Sequence, residues 1–501
     1  MTSIDQYRIF IDNLQNEDQR PQALNDLKTL LSFTSPSEAM PVIRDVGIAK
    51  ILECLNVTDK THLDLTCEVL KICFDMFDAG DVVRNYISYM MYLLRHDKSY
   101  VRQLAIDVIY KAIASDVTKL PVPNYIDVFV AVSQMVCEKD VAIANKAILI
   151  TSHLPDEAYP KVLEEMQIAL QCNSSSKCNA FEIFVNISTK SQELFALCAS
   201  QGYFDFMVKE LESDDILYQL NILELLSQLI EKPYAMSYFV KHGALRKIVG
   251  FLQELRNNQL GGLLTTGYIK FFGCVTYHYS KEVIKEYPMI LEYIFESFDS
   301  ADQSLLPVVL DTLGIIGSTM EGKLCLVAYG SIYTQTIEKV AEIIKNSPSE
   351  LKLRALNCFV NLIGVEQDPV ARSKPIDHRV TLMTREWFRS LSKQPSAAEL
   401  LFELCKNPFP DLKFAAFNLL DAVCQHQWGE ELVANTAGFI EFLLDRTMDN
   451  KKELKEVKYD IIKRLSTSSA FDDNTILKLQ TYVDQGPFYS EPQLEVAMED
   501  D

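Results

Sequence analysis

Asp97-Lys-Ser-Tyr-Val101-Arg102-Gln-Leu-Ala105 sets the pattern: an acidic residue opens a helical stretch, an aliphatic residue follows, and alanine comes in register. The next copy, Asp140-Val-Ala-Ile-Ala-Asn-Lys-Ala147, begins 43 residues later, and weaker copies begin near Asp59, Ser176, Asp215, Asp302, Glu350 and Asp411. Helical spacing carries each copy. Val101, Leu104, Ala105, Val108 and Ile109 fall at i, i+3, i+4, i+7 and i+8, and Leu412, Ala415, Ala416, Leu419, Leu420 and Val423 continue to i+11. Ile222, Leu225, Leu226, Leu229 and Ile230 form a third such stripe. A stripe of this kind is one face of a helix that must be buried against something. No comparable run alternates polar and apolar residues, so strands are not expected. A period of about 40 to 47 residues with two or three helices per unit reads as an all-α solenoid of the HEAT/armadillo type. Such a fold offers a long surface to other proteins and has no obligatory catalytic cleft.

Glycine marks a second recurring element. Gly47-Ile-Ala-Lys-Ile-Leu, Gly202-Tyr-Phe-Asp-Phe-Met, Gly243-Ala-Leu-Arg-Lys-Ile and Gly438-Phe-Ile-Glu-Phe-Leu share one pattern, with Gly330-Ser-Ile-Tyr a looser copy. At such a position glycine lets one helix end in a left-handed residue while the next begins at once. Gly and Pro together are only 35 of 501 residues, against roughly 12% in average proteins, which fits helices joined by short connections.

The rhythm lapses in three places. Leu260-Gly-Gly-Leu-Leu-Thr-Thr-Gly267 reads as a break before a helix containing Tyr268 to Tyr277. Residues 365–378, with Pro369 and Pro375, read as an insertion loop, because the step from Glu350 to Asp411 stretches to 61. Residues 490–501 read as a disordered acidic tail. A single solenoid is therefore expected over 1–489, with residues 1 to about 40 as its N-terminal cap.

Composition narrows the partners. A net charge of −21 argues against nucleic acid, since phosphate binding depends on clustered Lys and Arg. No segment approaches the ~20 apolar residues of a membrane span, and no apolar run follows a basic stretch at the start. Twelve cysteines sit mostly on apolar helical faces, Cys54, Cys67, Cys137, Cys198, Cys274 and Cys424 among them, and read as reduced core residues of a cytoplasmic and nuclear protein.

Catalytic patterns are missing. There is no G-x-x-x-x-G-K-[ST], no H-E-x-x-H and no C-x-x-C, and Cys67/Cys73 and Cys172/Cys178 have the wrong spacing for zinc. Gly314-Ile-Ile-Gly317 lies inside a helical stripe, where close helix packing is the better reading. Cys274 and His278 are one turn apart, but a nucleophile–base pair also needs an orienting third group and an oxyanion site. His242, beside the repeat glycine Gly243, is no better supported. No enzyme, metal or cofactor is expected. A protein-binding face is. In armadillo-type units the last helix of each repeat lines the concave surface, and Asn186, Asn361 and Asn418 fall at about the same phase of that helix. Amide side chains both donate and accept, so a ladder of them can hydrogen-bond a partner's backbone. Tyr218, Tyr268, Phe271 and Tyr277 would supply aromatic anchors. The alternative is that the asparagines are merely solvated and the aromatics are core.

Several longer words resemble the 26S proteasome non-ATPase regulatory subunit 5 family. They include Gly267-Tyr-Ile-Lys-Phe-Phe-Gly273, Asp311-Thr-Leu-Gly-Ile-Ile-Gly317-Ser-Thr-Met-Glu-Gly322-Lys and Glu386-Trp-Phe-Arg-Ser-Leu-Ser392. Pro408-Phe-Pro410, Gly438-Phe-Ile-Glu-Phe442 and Leu479-Gln-Thr-Tyr-Val-Asp-Gln-Gly486-Pro-Phe-Tyr489 complete the series, which is ordered from about 260 to 490 and fainter before it. The resemblance implies a chaperone of proteasome base assembly that is absent from the finished particle. It implies as partners the C-terminal domain of the base ATPase 26S proteasome regulatory subunit 7, with regulatory subunit 4 and non-ATPase regulatory subunit 2, and a monomer when alone. A general solenoid adaptor, such as a transport receptor or phosphatase scaffold, is the competing expectation. Against a transport receptor, only Trp387 and Trp428 are available to accompany the asparagines.

Overall fold

In the computed structural model the described residues are 3–44, 48–56, 59–255, 262–300, 302–365, 377–447 and 451–489. They form helices and short 3-10 turns with no strand among them. The insertion expected at 365–378 and the acidic tail expected at 490–501 lie almost wholly outside the described residues, as does Gly47. The chain divides into two compact units, Met1–Ala235 and Met236–Asp501.

In the first unit one row of helices runs α1 (Arg20–Phe33), α2 (Lys60–Met76), α3 (Ser99–Asp116), α4 (Val141–Ser152), α5 (Ser174–Ser188) and α6 (Ile216–Ile230), each packed on the next. The repeated acidic residues start them. Asp59, Asp140 and Asp215 accept the backbone N–H groups of His62, Ala142 and Tyr218, and Asn173 accepts that of Ser176. These side chains satisfy donors that the first helical turn leaves unpaired. A second row, Ile87–Leu94, Val122–Gln134 and Tyr159–Met166, packs in the same sequential manner.

The second unit repeats the plan with α7 (Gly262–His278), α8 (Leu306–Ile316), α9 (Ser349–Ile363), α10 (Pro410–Cys424) and α11 (Lys452–Leu465). Its second row contains Met289–Glu296, Ser331–Asn346 and His378–Ser390. Helix α7 starts at Gly262, so the stretch expected to be a break is helical from there; Leu264 and Thr265 are already buried in its first turn. Gly202, Gly243, Gly330 and Gly438 all have positive φ, between 56° and 77°, each at the junction the sequence assigns to a left-handed residue.

Cross-links between neighbouring repeats keep the period. Arg102 pairs with Glu138 at 2.7 Å and Lys177 with Glu210 at 2.8 Å, while Lys111–Asp75 and Lys146–Asp107 extend the series. In the second unit Lys281–Glu321, Lys339–Asp299 and Arg354–Asp311 do the same. Partners in these pairs are 33 to 43 residues apart. Exposed pairs of this kind contribute about 0–1 kcal/mol each, so they set register more than stability, and the apolar stripes carry the latter. No single described helix is long and apolar enough to cross a membrane.

Candidate functional site

The second unit contains a depression of about 510 Å³ that crosses successive repeat helices. Asn361 of α9 and Asn418 of α10 both line it, with Tyr277 from α7 and Asp460 from α11. Two of the three predicted asparagines are thus brought to one place.

Close helix packing positions Asn361. A Cβ on Gly314 would lie 3.1 Å from the Cys358 Cα and 3.3 Å from Asn361 Nδ2, so glycine there lets α8 approach α9 closely. Close packing is the role the sequence assigns to Gly314. A buried lysine then ties the helix ends. Lys323 Nζ donates to the Asn361 carbonyl at 2.8 Å and also to the Gly317 carbonyl. A cation is favourable among helix C-terminal carbonyls, which carry the negative end of the helix dipole. The next repeat uses a histidine for the same purpose: His426 Nε2 lies 2.8 Å from the Ile363 carbonyl. Burial holds the His426 pKa below its ordinary value, and nearby Lys323 adds to the depression.

The far wall is polar. Gln425 accepts the Val365 N–H at 2.6 Å and donates to Asp421 at 3.1 Å, and Arg464 reaches the same carboxylate at 3.4 Å. By contrast, the side-chain amides of Asn361 and Asn418 make no hydrogen bond among the described residues, and Asn361 is exposed while Asn418 is half-buried. Two unpaired amides on adjacent helices beside a 36% exposed tyrosine can hydrogen-bond an incoming backbone and cover an apolar side chain. Asn418 also lines a second hollow of about 360 Å³ with Asn357, Leu353 and Phe414, which extends the surface along the same helices. Asn357 was not singled out from the sequence, although it sits four residues before Asn361 and therefore on the same helical face.

The remaining predicted site residues are placed otherwise. Asn186 belongs to the first unit and its Nδ2 donates to Ser152 Oγ at 3.2 Å, so that amide is already engaged. Tyr218, Tyr268 and Phe271 are only 3%, 1% and 0% exposed, and this corrects their reading as surface anchors. The Tyr218 hydroxyl donates to Glu210 at 2.7 Å inside the repeat junction, and burial raises the pKa of both tyrosines. The physical reason for α7 is its two-sided burial: Tyr268, Ile269, Phe271, Phe272 and Val275 are all enclosed, and a helix apolar on most sides lies inside its unit. Of the four proposed aromatics only Tyr277 reaches the surface.

The whole chain points the same way. Residues 5–501 match the profile of the proteasome non-ATPase 26S subunit family. The chain belongs to this family. Among the family's named relatives, 26S proteasome non-ATPase regulatory subunit 5 from Bos taurus is 24% identical over 493 residues, covering 95% of this chain and 96% of the relative. The Drosophila melanogaster protein of that name is 26% identical and covers 98% of both chains. Among solved structures, importin beta aligns with a TM-score of 0.52 at 13% identity, over 95% of this chain and 56% of that one. That likeness shows the fold alone, a helical-repeat solenoid.

Proposed function

We propose that this family member is a non-enzymatic chaperone for assembly of the base of the 26S proteasome regulatory particle. It holds an ATPase subunit, regulatory subunit 7, through that subunit's C-terminal domain, in a module with regulatory subunit 4 and non-ATPase regulatory subunit 2, and it leaves before the particle is complete. The observation that carries the proposal is the match to the family along nearly the whole chain, with relatives of that name covered end to end. The depression around Asn361 and Asn418 supplies the physical means. Unpaired amides grip backbone, Tyr277 anchors an apolar side chain, and Asp460 favours a basic neighbour. Covering a surface on the ATPase would delay its docking to the core particle until the neighbouring subunits are in place.

Tagged chain purified from cytoplasmic and nuclear extracts, with its co-purifying subunits identified, tests the proposal. Free base ATPases together with non-ATPase regulatory subunit 2, but without the 20S core, are expected. Recovery of transport cargo or a phosphatase and no base ATPase would favour the adaptor reading and end this one.

A further inference from the structure

Another hollow of the second unit, about 590 Å³, shares no lining residue with the depression around Asn361 and Asn418. Three helices meet at it: His378–Ser390, Ala397–Cys405 and Gln427–Asn435. Each contributes an apolar side chain to the lining, Phe388 from the first, Phe402 from the second, and Trp428 with Leu432 from the third. Trp428 is held in place by its neighbours. Its ring stacks on His426 and tilts against Phe388, in both cases with centroids 5.4 Å apart. Trp428 is only 7% exposed, and its Nε1–H has no acceptor among the described residues. A buried donor left unmatched is costly, so the hollow favours an occupant that brings an acceptor with it.

The charges around these rings set a second requirement. Arg385 and Arg389 also line the hollow, one turn apart on the same helix face. Arg389 holds Glu386 at 2.8 Å, whereas Arg385 is exposed and has no carboxylate partner among the described residues. The two acids of the lining are already engaged. Glu399 accepts the Ser396 N–H at 2.8 Å in a capping box, and Glu431 accepts from Gln427 at 3.3 Å. Aromatic walls beside an open guanidinium suit apolar side chains that carry a carboxylate next to them.

We propose that this hollow is the seat of the chain's own acidic segment 490–501, which lies outside the described residues, and that the segment covers it reversibly. In that segment Leu494, Val496 and Met498 recur every second residue and fall on one side of an extended chain, with Glu491, Glu495 and Glu499 between and around them and no Lys or Arg. The apolar three meet Phe388, Phe402, Trp428 and Leu432, a glutamate meets Arg385, and the backbone supplies acceptors. Its starting point is close by. The Arg446 guanidinium lies 3.6 Å from the centre of the Tyr482 ring and 5.2 Å from that of Tyr489, and it donates to the Gly486 carbonyl at 2.8 Å, which fastens the last described residues. Only the helix Phe439–Leu444, about 9 Å long, separates the neighbourhood of Arg446 from Ala437 in the lining. Five extended residues from Tyr489 to Leu494 span about 17 Å, so the reach suffices. A cover tethered this closely acts at a high effective concentration, and excludes free ligands of the same chemistry.

The test uses the full chain with a photoreactive diazirine side chain installed at Met498, irradiated at low protein concentration and peptide-mapped by mass. Cross-links within one molecule to the segments around Phe388, Phe402 and Trp428 are expected. Arg385→Glu should lower their yield about fivefold, the effect of one surface ion pair, without moving the unfolding temperature. In a second measurement, a fluorescent synthetic peptide of residues 490–501 is titrated into the full chain. The wild type should exclude it, and the full chain carrying Leu494→Ser, Val496→Ser and Met498→Ser should bind it. Cross-links that map elsewhere, or only to a second copy of the chain, overturn the proposal. Equal binding of the peptide by the wild type and the triple variant, or binding by neither, overturns it as well.

Discussion

Removing both free amides, Asn361→Ala with Asn418→Ala, should separate binding from folding. Neither side chain has a hydrogen-bond partner among the described residues, so their loss leaves no buried group stranded. Surface substitutions of that sort change stability by less than about 0.5 kcal/mol. Each amide that bonds a partner's backbone contributes roughly 0.5–1.5 kcal/mol net, so the pair would cost about 1–3 kcal/mol of binding, or about 5- to 150-fold in Kd. Calorimetric titration with the C-terminal domain of the base ATPase measures the first quantity, and thermal unfolding of the same samples measures the second. Asn186→Ala is the matched control. Its amide is spent on Ser152, so it should lower stability by about 1 kcal/mol and leave the affinity alone. An unchanged Kd in the double variant would show that the two asparagines are ordinary solvated surface. A large fall in stability would show instead that they belong to the packing, and either result refutes the reasoning.

Other perturbations test the scaffold. A Cβ on Gly322 would collide with the Ile316 carbonyl, and one on Gly429 with the Val423 carbonyl; Gly322→Ala should therefore cost roughly 3 kcal/mol or more, visible as a lowered melting temperature. Phe271→Ala should cost about 3–5 kcal/mol of stability through a core cavity, and in the cold, where the chain stays folded, should leave partner affinity unchanged. His426 has a folded pKa held below its ordinary 6.5. The unfolded chain therefore takes up the proton first, and stability is lost as the pH falls below about 6.5. Urea midpoints followed from pH 8 to pH 5 should show a smaller decline in His426→Gln; parallel slopes would remove His426 as the cause.

The row of repeat helices was legible because its signals are local. Asp59, Asp140 and Asp215 cap helices within three residues of themselves, and Gly202 and Gly438 adopt positive φ for reasons internal to a single turn. The site was legible only in part, since it depends on partners a full repeat away. Asn361 and Asn186 look alike in sequence, yet Ser152, 34 residues off, decides that only Asn186 is occupied. Helical periodicity likewise places Tyr268 and Phe271 on a face without saying that α7 has neighbours on more than one side. Lys323 shows the same limit. A lysine reads as surface, but two carbonyls at the ends of α8 and α9 draw it into the interior.

The ion pairs spaced by one repeat have an evolutionary consequence. Each ties a repeat to the adjacent one, so the quantity that selection must preserve is complementarity across a seam, not the identity of either side. Arg102 and Glu138 could be exchanged for another matched pair without disturbing the seam between Lys177 and Glu210. A chain assembled from such independent seams can be rewritten one junction at a time and keep its length and its helices. Relatives that differ at about three positions in four, yet align from end to end, are what that mode of drift would leave behind.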